Sequence, residues 1–302
     1  MKIKAVIIFL IHLAAVPVFG GQGAIPEIVA MMTDKTATWE KRCAAEDELA
    51  TQPPQRVLSV LLPHIAKGMP SPTIWNSGGR ELDKQAPVEW QVFYAVARSW
   101  NHAVAQLPKS ESPKVLLSLL KQAPTPTAQQ RILNDMALRW TPDAEGYVAD
   151  LLTNKEHDFT VRWLAGLCLM LHEGKKYHDQ FLHLAKTSDH HTGKKWFDLL
   201  SDPRHKQNAG YDSRVVALGF RLIEKEKSIS PNYVHGAYFL AIKAGDYIGV
   251  EFKPDQRKAE YRGEHGLKEA FFSDTVKNAL AWWESNKERI KKELPTNESS
   301  AQ

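Results

Sequence analysis

Histidine is the residue type in this chain that most invites a chemical interpretation. The sequence contains 12 histidines, and five of them lie in one short stretch: His172, His178, His183, His190 and His191. Paired imidazoles bind metal ions when both lie on one helical face beside a carboxylate. The stretch has no His-Glu-x-x-His motif, and His178 and His183 face different directions because they are five residues apart. We therefore expect solvated or helix-capping histidines here, and no bound metal or other cofactor.

Motifs for nucleophilic or nucleotide chemistry are missing from the sequence. It has no Gly-x-Ser-x-Gly elbow, no phosphate-binding loop and no dinucleotide fingerprint. Cys43 and Cys168 could form a disulfide in an exported protein, but two free thiols buried in helices are favoured. The chain is therefore not expected to be an enzyme. The alternative is an exported hydrolase with a site beneath residues 68–87 or 245–266, where Asp246 and Glu251 supply a carboxylate pair.

Three long polar segments carry aromatic residues that could contact a partner. They span residues 68–87, 201–213 and 245–266, and their aromatic members are Trp75, Tyr211, Tyr247, Phe252 and Tyr261. Aromatic anchors in a polar frame are typical of recognition surfaces. If the three loops share one rim, these residues form a binding surface for a protein or peptide. The alternative is that each loop covers an apolar end of its own helices.

The remaining sequence predicts helices, because apolar residues recur at helical spacing and turn signals separate the runs. Predicted helices outside residues 158–187 span 25–32, 36–50, 56–67, 88–104, 113–122, 128–140, 143–153, 192–200, 214–225, 231–244 and 273–292. Residues 246–252 alternate between apolar and polar side chains, which predicts a short extended piece.

Residues 158–187 predict two short helices with a polar break between them. The first is apolar on two stripes and must be covered on both sides, so a helical pair of this kind needs similar pairs stacked against it. The pattern of Asp158, Val161, Arg162, Ala165 and Leu169, followed by a turn and a second apolar helix, resembles a HEAT repeat.

The resemblance implies an all-α fold: a right-handed α-α superhelix of about five to six HEAT-like pairs spanning residues 21–292, with long inserted loops. The helix at 273–292 would be an atypical C-terminal cap, and its Trp282-Trp283 pair resembles the ending of some exported bacterial HEAT-like proteins. Such a stack presents a concave face suited to a protein or peptide partner. Metal enzymes of this fold carry several His-Glu dipeptides, whereas this chain has one, at His172-Glu173.

The first 20 residues predict a cleaved signal peptide. Lys2 and Lys4 precede an apolar run that is interrupted by Pro17, and small residues near Gly20 suit cleavage there. Removing the two lysines lowers the formal net charge from +4 to +2, which argues against nucleic acid as a partner. We expect a secreted or periplasmic monomer without a membrane span after cleavage, ending in a disordered tail at 293–302.

Overall fold

The computed structural model of the chain describes residues 25–67, 79–230, 234–263 and 266–293. These residues confirm the all-α prediction: the fold is 77% helical and contains 14 packed helices in the part described. No helix in these ranges is long and apolar enough to cross a membrane. The predicted signal peptide and residues 294–302 of the predicted tail lie outside the described residues.

The helices follow one another along the chain, and the connection to the last helix is a long one that contains two short strands. The helices are α1 Ile25–Thr33, α2 Trp39–Leu49, α3 Pro54–Ala66, α4 Arg80–Asp83, α5 Val88–Gln106, α6 Ser112–Gln122, α7 Pro126–Met136, α8 Glu145–Thr153, α9 Phe159–Thr187, α10 His190–Leu200, α11 Pro203–Ala209, α12 Ser213–Ile229, α13 His235–Ile248 and α14 Glu269–Lys292. Two short antiparallel strands, β1 Arg262–Gly263 and β2 Gly266–Leu267, pair Arg262 with Leu267 between α13 and α14.

The described helices form two compact units, which divide within α3 after Leu61. The first unit contains α1, α2, α4, α5 and the start of α3, and the second contains the rest of α3 and α6 to α14. The core of the first unit surrounds Trp100 and Met32, and the core of the second includes Trp196, Phe181 and Phe220, all of them fully buried. Large apolar side chains at helical spacing therefore bury as the sequence predicts.

Helix α9 is the most extensively packed helix of the second unit, since it contacts α7, α8, α10 and α11. Asp158 caps its start by accepting hydrogen bonds from the backbone N–H groups of Thr160 and Val161. Glu173 has non-helical backbone angles (φ −129°, ψ 24°), which divide α9 into two helical segments. The two predicted helices are confirmed as these segments, but a kink joins them directly instead of a polar loop.

The prediction of a loop over residues 201–213 is wrong in its middle, because Pro203–Ala209 forms helix α11. Asp202 caps this helix, and Pro203 occupies its first turn, where the missing N–H costs nothing. The helix also has a buried anchor, His205, which is 1% exposed. Apolar periodicity does not predict this short helix, because its buried residue is a histidine and not an apolar side chain.

The prediction of an extended piece over residues 246–252 is wrong for its first half. Helix α13 continues to Ile248, and Gly249 ends it in the left-handed conformation (φ 74°). The last predicted helix is present as α14, but it begins at Glu269 instead of residue 273. Of the 68–87 loop, residues 68–78 lie outside the described residues, and Arg80–Asp83 forms the short helix α4.

Both cysteines are free thiols, as predicted. Cys168 is fully buried and donates to the carbonyl oxygen of Leu133 at 3.3 Å, and burial raises its pKa to about 12. Cys43 is only partly buried, so the prediction of two core cysteines is wrong for that residue.

Candidate functional site: a histidine cluster and an adjoining chain segment

A buried chain of hydrogen bonds joins three helices of the second unit. His178 of α9 donates from Nε2 to Oδ2 of Asp212 at 2.8 Å, and its Nδ1 lies 2.9 Å from Nε2 of His205 on α11. Asp212 also caps α12 by accepting from the backbone N–H of Arg214. We call His178, His205 and Asp212 the histidine cluster.

The hydrogen bonds of the cluster fix which ring nitrogens carry protons. Singly protonated His178 uses its Nε2 proton toward Asp212, so its Nδ1 accepts from Nε2 of His205. Nδ1 of His205 is then a lone-pair acceptor, and it has no hydrogen-bond partner among the described residues. It faces Gly174, where an added Cβ would lie only 3.0 Å from it. The cluster therefore ends in a buried nitrogen without a donor or acceptor.

Burial disfavours the charged form at both ends of the cluster, but the two ends differ in whether hydrogen bonds overcome it. Burial opposes ionisation of Asp212, but hydrogen bonds from His178 and Arg214 overcome it and hold the Asp212 pKa well below its ordinary value. Burial and, to a lesser extent, the neighbouring His178 lower the pKa of His205 to about 4. The structure thus favours a charged Asp212 beside a neutral His205.

The histidine cluster is attached to the last turn of α13 through Tyr247. The backbone N–H of Asp212 donates to the Tyr247 hydroxyl at 2.9 Å, and Lys206 of α11 donates to the Tyr247 carbonyl oxygen. Burial raises the Tyr247 pKa to about 12, so the hydroxyl stays protonated. Movement of α11 or of the start of α12 would therefore be transmitted to the end of α13.

The chain that leaves α13 folds back across that helix. Gly245 has no Cβ, which allows the carbonyl of Val250 and the ring of Phe252 to approach within distances that a side chain would block. Phe252 packs against Phe220 and Trp282, and Asn278 of α14 donates to its carbonyl oxygen at 3.0 Å. Phe252 thus anchors residues 251–254, which we call the 251–254 segment.

The 251–254 segment has open backbone groups and exposed flanking side chains. Phe252 is buried while Glu251 and Lys253 are exposed, which is the alternation of an extended chain. The backbone N–H groups of Glu251 and Lys253 donate to no group within the described residues. Unpaired N–H groups on an extended chain are available for pairing with another chain.

Two hollows flank this segment, and Glu251 and Lys253 line both of them. The first, of about 620 Å³, has a floor formed by Tyr238, Leu267 and Phe271. The second, of about 330 Å³, lies beside the end of α13. Leu267 is 37% exposed in the first hollow. The segment therefore combines open main-chain donors with a mainly polar hollow in which Leu267 is an accessible apolar side chain.

The structure places the predicted binding residues in different environments. Tyr211 is 51% exposed and stacks on Tyr247 at 5.9 Å between ring centroids. Tyr247, Phe252 and Tyr261 are buried, and the Tyr261 hydroxyl donates to Asp274 at 2.9 Å. Trp75 lies outside the described residues. The three buried rings therefore hold loops onto helices, as the alternative reading of the loops predicts, and a shared recognition surface stays a prediction.

The expectation of solvated or cap-region histidines is wrong for His178, whereas His190 lies in the first turn of α10, as predicted. His178 is 9% exposed, and His190 bonds to the buried Glu226. His183 and His191 are exposed, as predicted, and so is His172, whose ring stacks on Trp140. Sequence analysis missed the histidine cluster because its members lie 27 and 34 residues apart, and no local pattern connects them.

The described residues contain no group of three or more His, Cys, Asp or Glu side chains arranged to hold a metal ion. The carboxylates of Glu251 and Asp255 line the first hollow, and no histidine does. The geometry therefore supports recognition at the 251–254 segment, and it adds no acid–base pair to the hydrolase alternative, which stays untested.

Comparisons with known proteins give no family assignment. The chain matches no protein-family model, no curated protein and no solved structure.

Proposed function

We propose that this chain is an exported, monomeric helical binding protein that holds an extended segment of a protein or peptide partner along residues 251–254. The proposal is carried by the N–H groups of Glu251 and Lys253, which donate to no group within the described residues and lie beside a mainly polar hollow that also contains Leu267. An added strand receives its main-chain hydrogen bonds from such an edge and its specificity from neighbouring pockets. A bulky apolar side chain of the partner would occupy the hollow floored by Tyr238, Leu267 and Phe271.

The proposal includes a stack of HEAT-like helical pairs as the scaffold. Its support is that contacts in the second unit run between helices close in sequence, such as α8 with α9, α12 with α13 and α13 with α14. The export signal at residues 1–20 supports the exported location, and the low net charge supports a partner other than nucleic acid.

Selection of random peptides displayed on phage, with the purified chain as the target, tests this function. The test variant is Leu267→Asp, which places a charge on the apolar floor at a position that is already 37% exposed. The matched control is Leu138→Asp, at an exposed leucine that lines neither hollow. Burial of one leucine contributes about 1.5–3 kcal/mol, so Leu267→Asp should weaken selected peptides about tenfold or more.

Peptides that bind the parent chain and Leu138→Asp equally, and Leu267→Asp at least about tenfold more weakly, would support the proposal. Failure to enrich any peptide would contradict it, and so would equal binding to all three proteins. Circular dichroism of each protein verifies that a loss of binding does not come from unfolding.

A further inference from the structure

The histidine cluster and the 251–254 segment are joined by one continuous path of contacts. His205 lies on α11, and the next residue, Lys206, donates to the carbonyl oxygen of Tyr247. Asp212 donates from its backbone to the hydroxyl of the same tyrosine. Tyr247 stands two residues before Gly249, which ends α13, and the 251–254 segment follows directly. Both ends of the cluster therefore hold the turn from which the segment leaves.

The end of α13 is held from the side of the cluster, and the segment that follows is also held by Phe252, which packs against Phe220 and Trp282. Tyr247 is 2% exposed and contributes two of its polar groups to the cluster side, its carbonyl and its hydroxyl. Beyond it, Val250 bonds back to the carbonyl of Gly245, within the same turn. The orientation of the turn thus depends partly on α11 and the start of α12 staying in place.

Acid acts on this arrangement at Nδ1 of His205. A proton added there would have no acceptor among the described residues, and it would create a buried positive charge beside His178. Buried histidines that are held neutral are expelled or rearranged when they gain a charge. Asp202, whose charge favours protonation of His205, is itself paired with Arg204 at 2.8 Å. The ionisable groups that face the cluster are Asp179 on α9, Asp202, Arg204 and Lys206 on and beside α11, Arg214 on α12 and Tyr247 on α13.

We infer that the histidine cluster makes the 251–254 segment acid-sensitive: near neutral pH the cluster holds the last turn of α13 in place, and in acid it releases that turn together with the segment. The consequence for a bound peptide rests on the proposed function, whereas the release itself does not. The partner would be bound at neutral pH and discharged in a more acidic medium.

A nitroxide spin label on the segment measures the release directly. Lys253→Cys provides the attachment site, because its side chain is exposed, and Cys43→Ser removes the partly exposed native thiol while the fully buried Cys168 stays. The spectrum should show a restrained label at pH 7.5 and increasing mobility as the pH falls from 5 toward 3.5, around the His205 pKa of about 4. Unfolding at each pH is followed in parallel by circular dichroism.

Two matched variants separate the cluster from general acid effects. His205→Gln keeps a donor at the position of Nε2 but cannot gain a proton, so it should abolish the pH-dependent rise in mobility. His183→Gln changes an exposed histidine on the same helix α9 and should leave the rise intact. If His205→Gln fails to fold, Tyr247→Phe replaces it: loss of the hydroxyl link to Asp212 should raise mobility at pH 7.5 and reduce its pH dependence.

A label that is equally restrained at every pH would overturn the inference. A rise that persists in His205→Gln or in Tyr247→Phe would also overturn it. A peptide selected at pH 7.5 should bind about twofold more weakly at pH 4 to the parent chain but not to His205→Gln, since half of the His205 side chains are protonated at their pKa of about 4. If no peptide is selected at all, the proposed function fails while the spin-label result still decides the inference.

Discussion

The two compact units each bury a polar cluster, and the clusters differ in chemistry. In the first unit, Arg98 bonds to both carboxylate oxygens of Glu46, at 2.8 and 2.9 Å, and to Asp83. In the second unit, two histidines and Asp212 form the corresponding buried chain. The first cluster pairs a guanidinium with carboxylates, whereas the second contains two imidazoles, of which His205 has a pKa lowered to about 4.

The two clusters also differ in how completely their hydrogen bonds are made. The guanidinium of Arg98 has three bonds to carboxylate oxygens, so its buried charge is compensated on the spot. The histidine cluster ends at an Nδ1 atom without a partner. We therefore expect the Arg98 cluster to hold its helices in a fixed arrangement. We expect the histidine cluster to rearrange when Nδ1 of His205 gains a proton.

The largest effect is expected when the fixed cluster loses one member. Glu46→Ala leaves the guanidinium of Arg98 buried with only part of its compensation, and removing one partner of a buried ion pair costs about 3–5 kcal/mol. Urea unfolding should show this loss. Glu48→Ala, an exposed glutamate on the same helix α2, is the control and should change stability by about 0.5 kcal/mol at most. Equal effects of the two substitutions would show that the first cluster does not stabilise its unit.

The next largest effect is expected from pH, and it should come from the histidine cluster. The pKa of His205 is lowered to about 4 in the folded chain from its ordinary 6.5, so between these values only the unfolded chain binds the proton. The stabilisation is therefore complete above pH 6.5 and is lost as the pH falls toward 4, by about 2 kcal/mol once solvent screening is allowed for. Urea unfolding of the parent chain and of His205→Gln at several pH values measures it. Parallel pH profiles of the two proteins would contradict this assignment.

The smallest changes in stability are expected from alanine substitutions at two glycines that differ in their surroundings. Gly174→Ala places a methyl group 3.0 Å from Nδ1 of His205, which is held between His178 and Phe181, and should destabilise the chain by about 1–2 kcal/mol. Gly146 in α8 has nothing within 4 Å of the same position, so Gly146→Ala should stabilise by about 0.5–1 kcal/mol. Thermal unfolding of both variants gives the comparison. Stabilisation by both would mean that His205 can move away from Gly174 without cost.

Much of the helical fold follows from local signals in the sequence. The apolar stripe that includes Phe93 and Trp100 predicts α5, and Asp158 marks the start of α9 because its carboxylate satisfies two unpaired N–H groups. Such signals depend only on residues close in sequence, so they can be recognised without the tertiary structure. Gly249 is an equally local signal, because a glycine in the left-handed conformation commonly ends a helix. It explains why α13 continues to Ile248 and why no extended piece begins at residue 246.

The candidate site depends on contacts that the sequence does not encode locally. His178 meets Asp212 across 34 residues, and Tyr247 reaches Asp212 across 35. Tyr247 and Phe252 are buried because α12 and α14 cover them. An aromatic residue that packs against the protein's own helices therefore looks the same in the sequence as one that contacts a partner. Helix α11 was missed for a related reason, since His205 packs as its core residue without being apolar.

The central claim is that His205 is a neutral, buried imidazole whose Nδ1 lacks a proton. Two-dimensional ¹⁵N–¹H NMR of the histidine side chains, recorded from pH 7.5 to 4, tests it most directly, with His205→Gln to assign the signal. The account predicts an Nε2–H tautomer for His205 that stays neutral well below pH 6.5, with a pKa near the expected value of about 4. A ring that gains its proton near pH 6.5, or one that carries its neutral-form proton on Nδ1, would contradict the account.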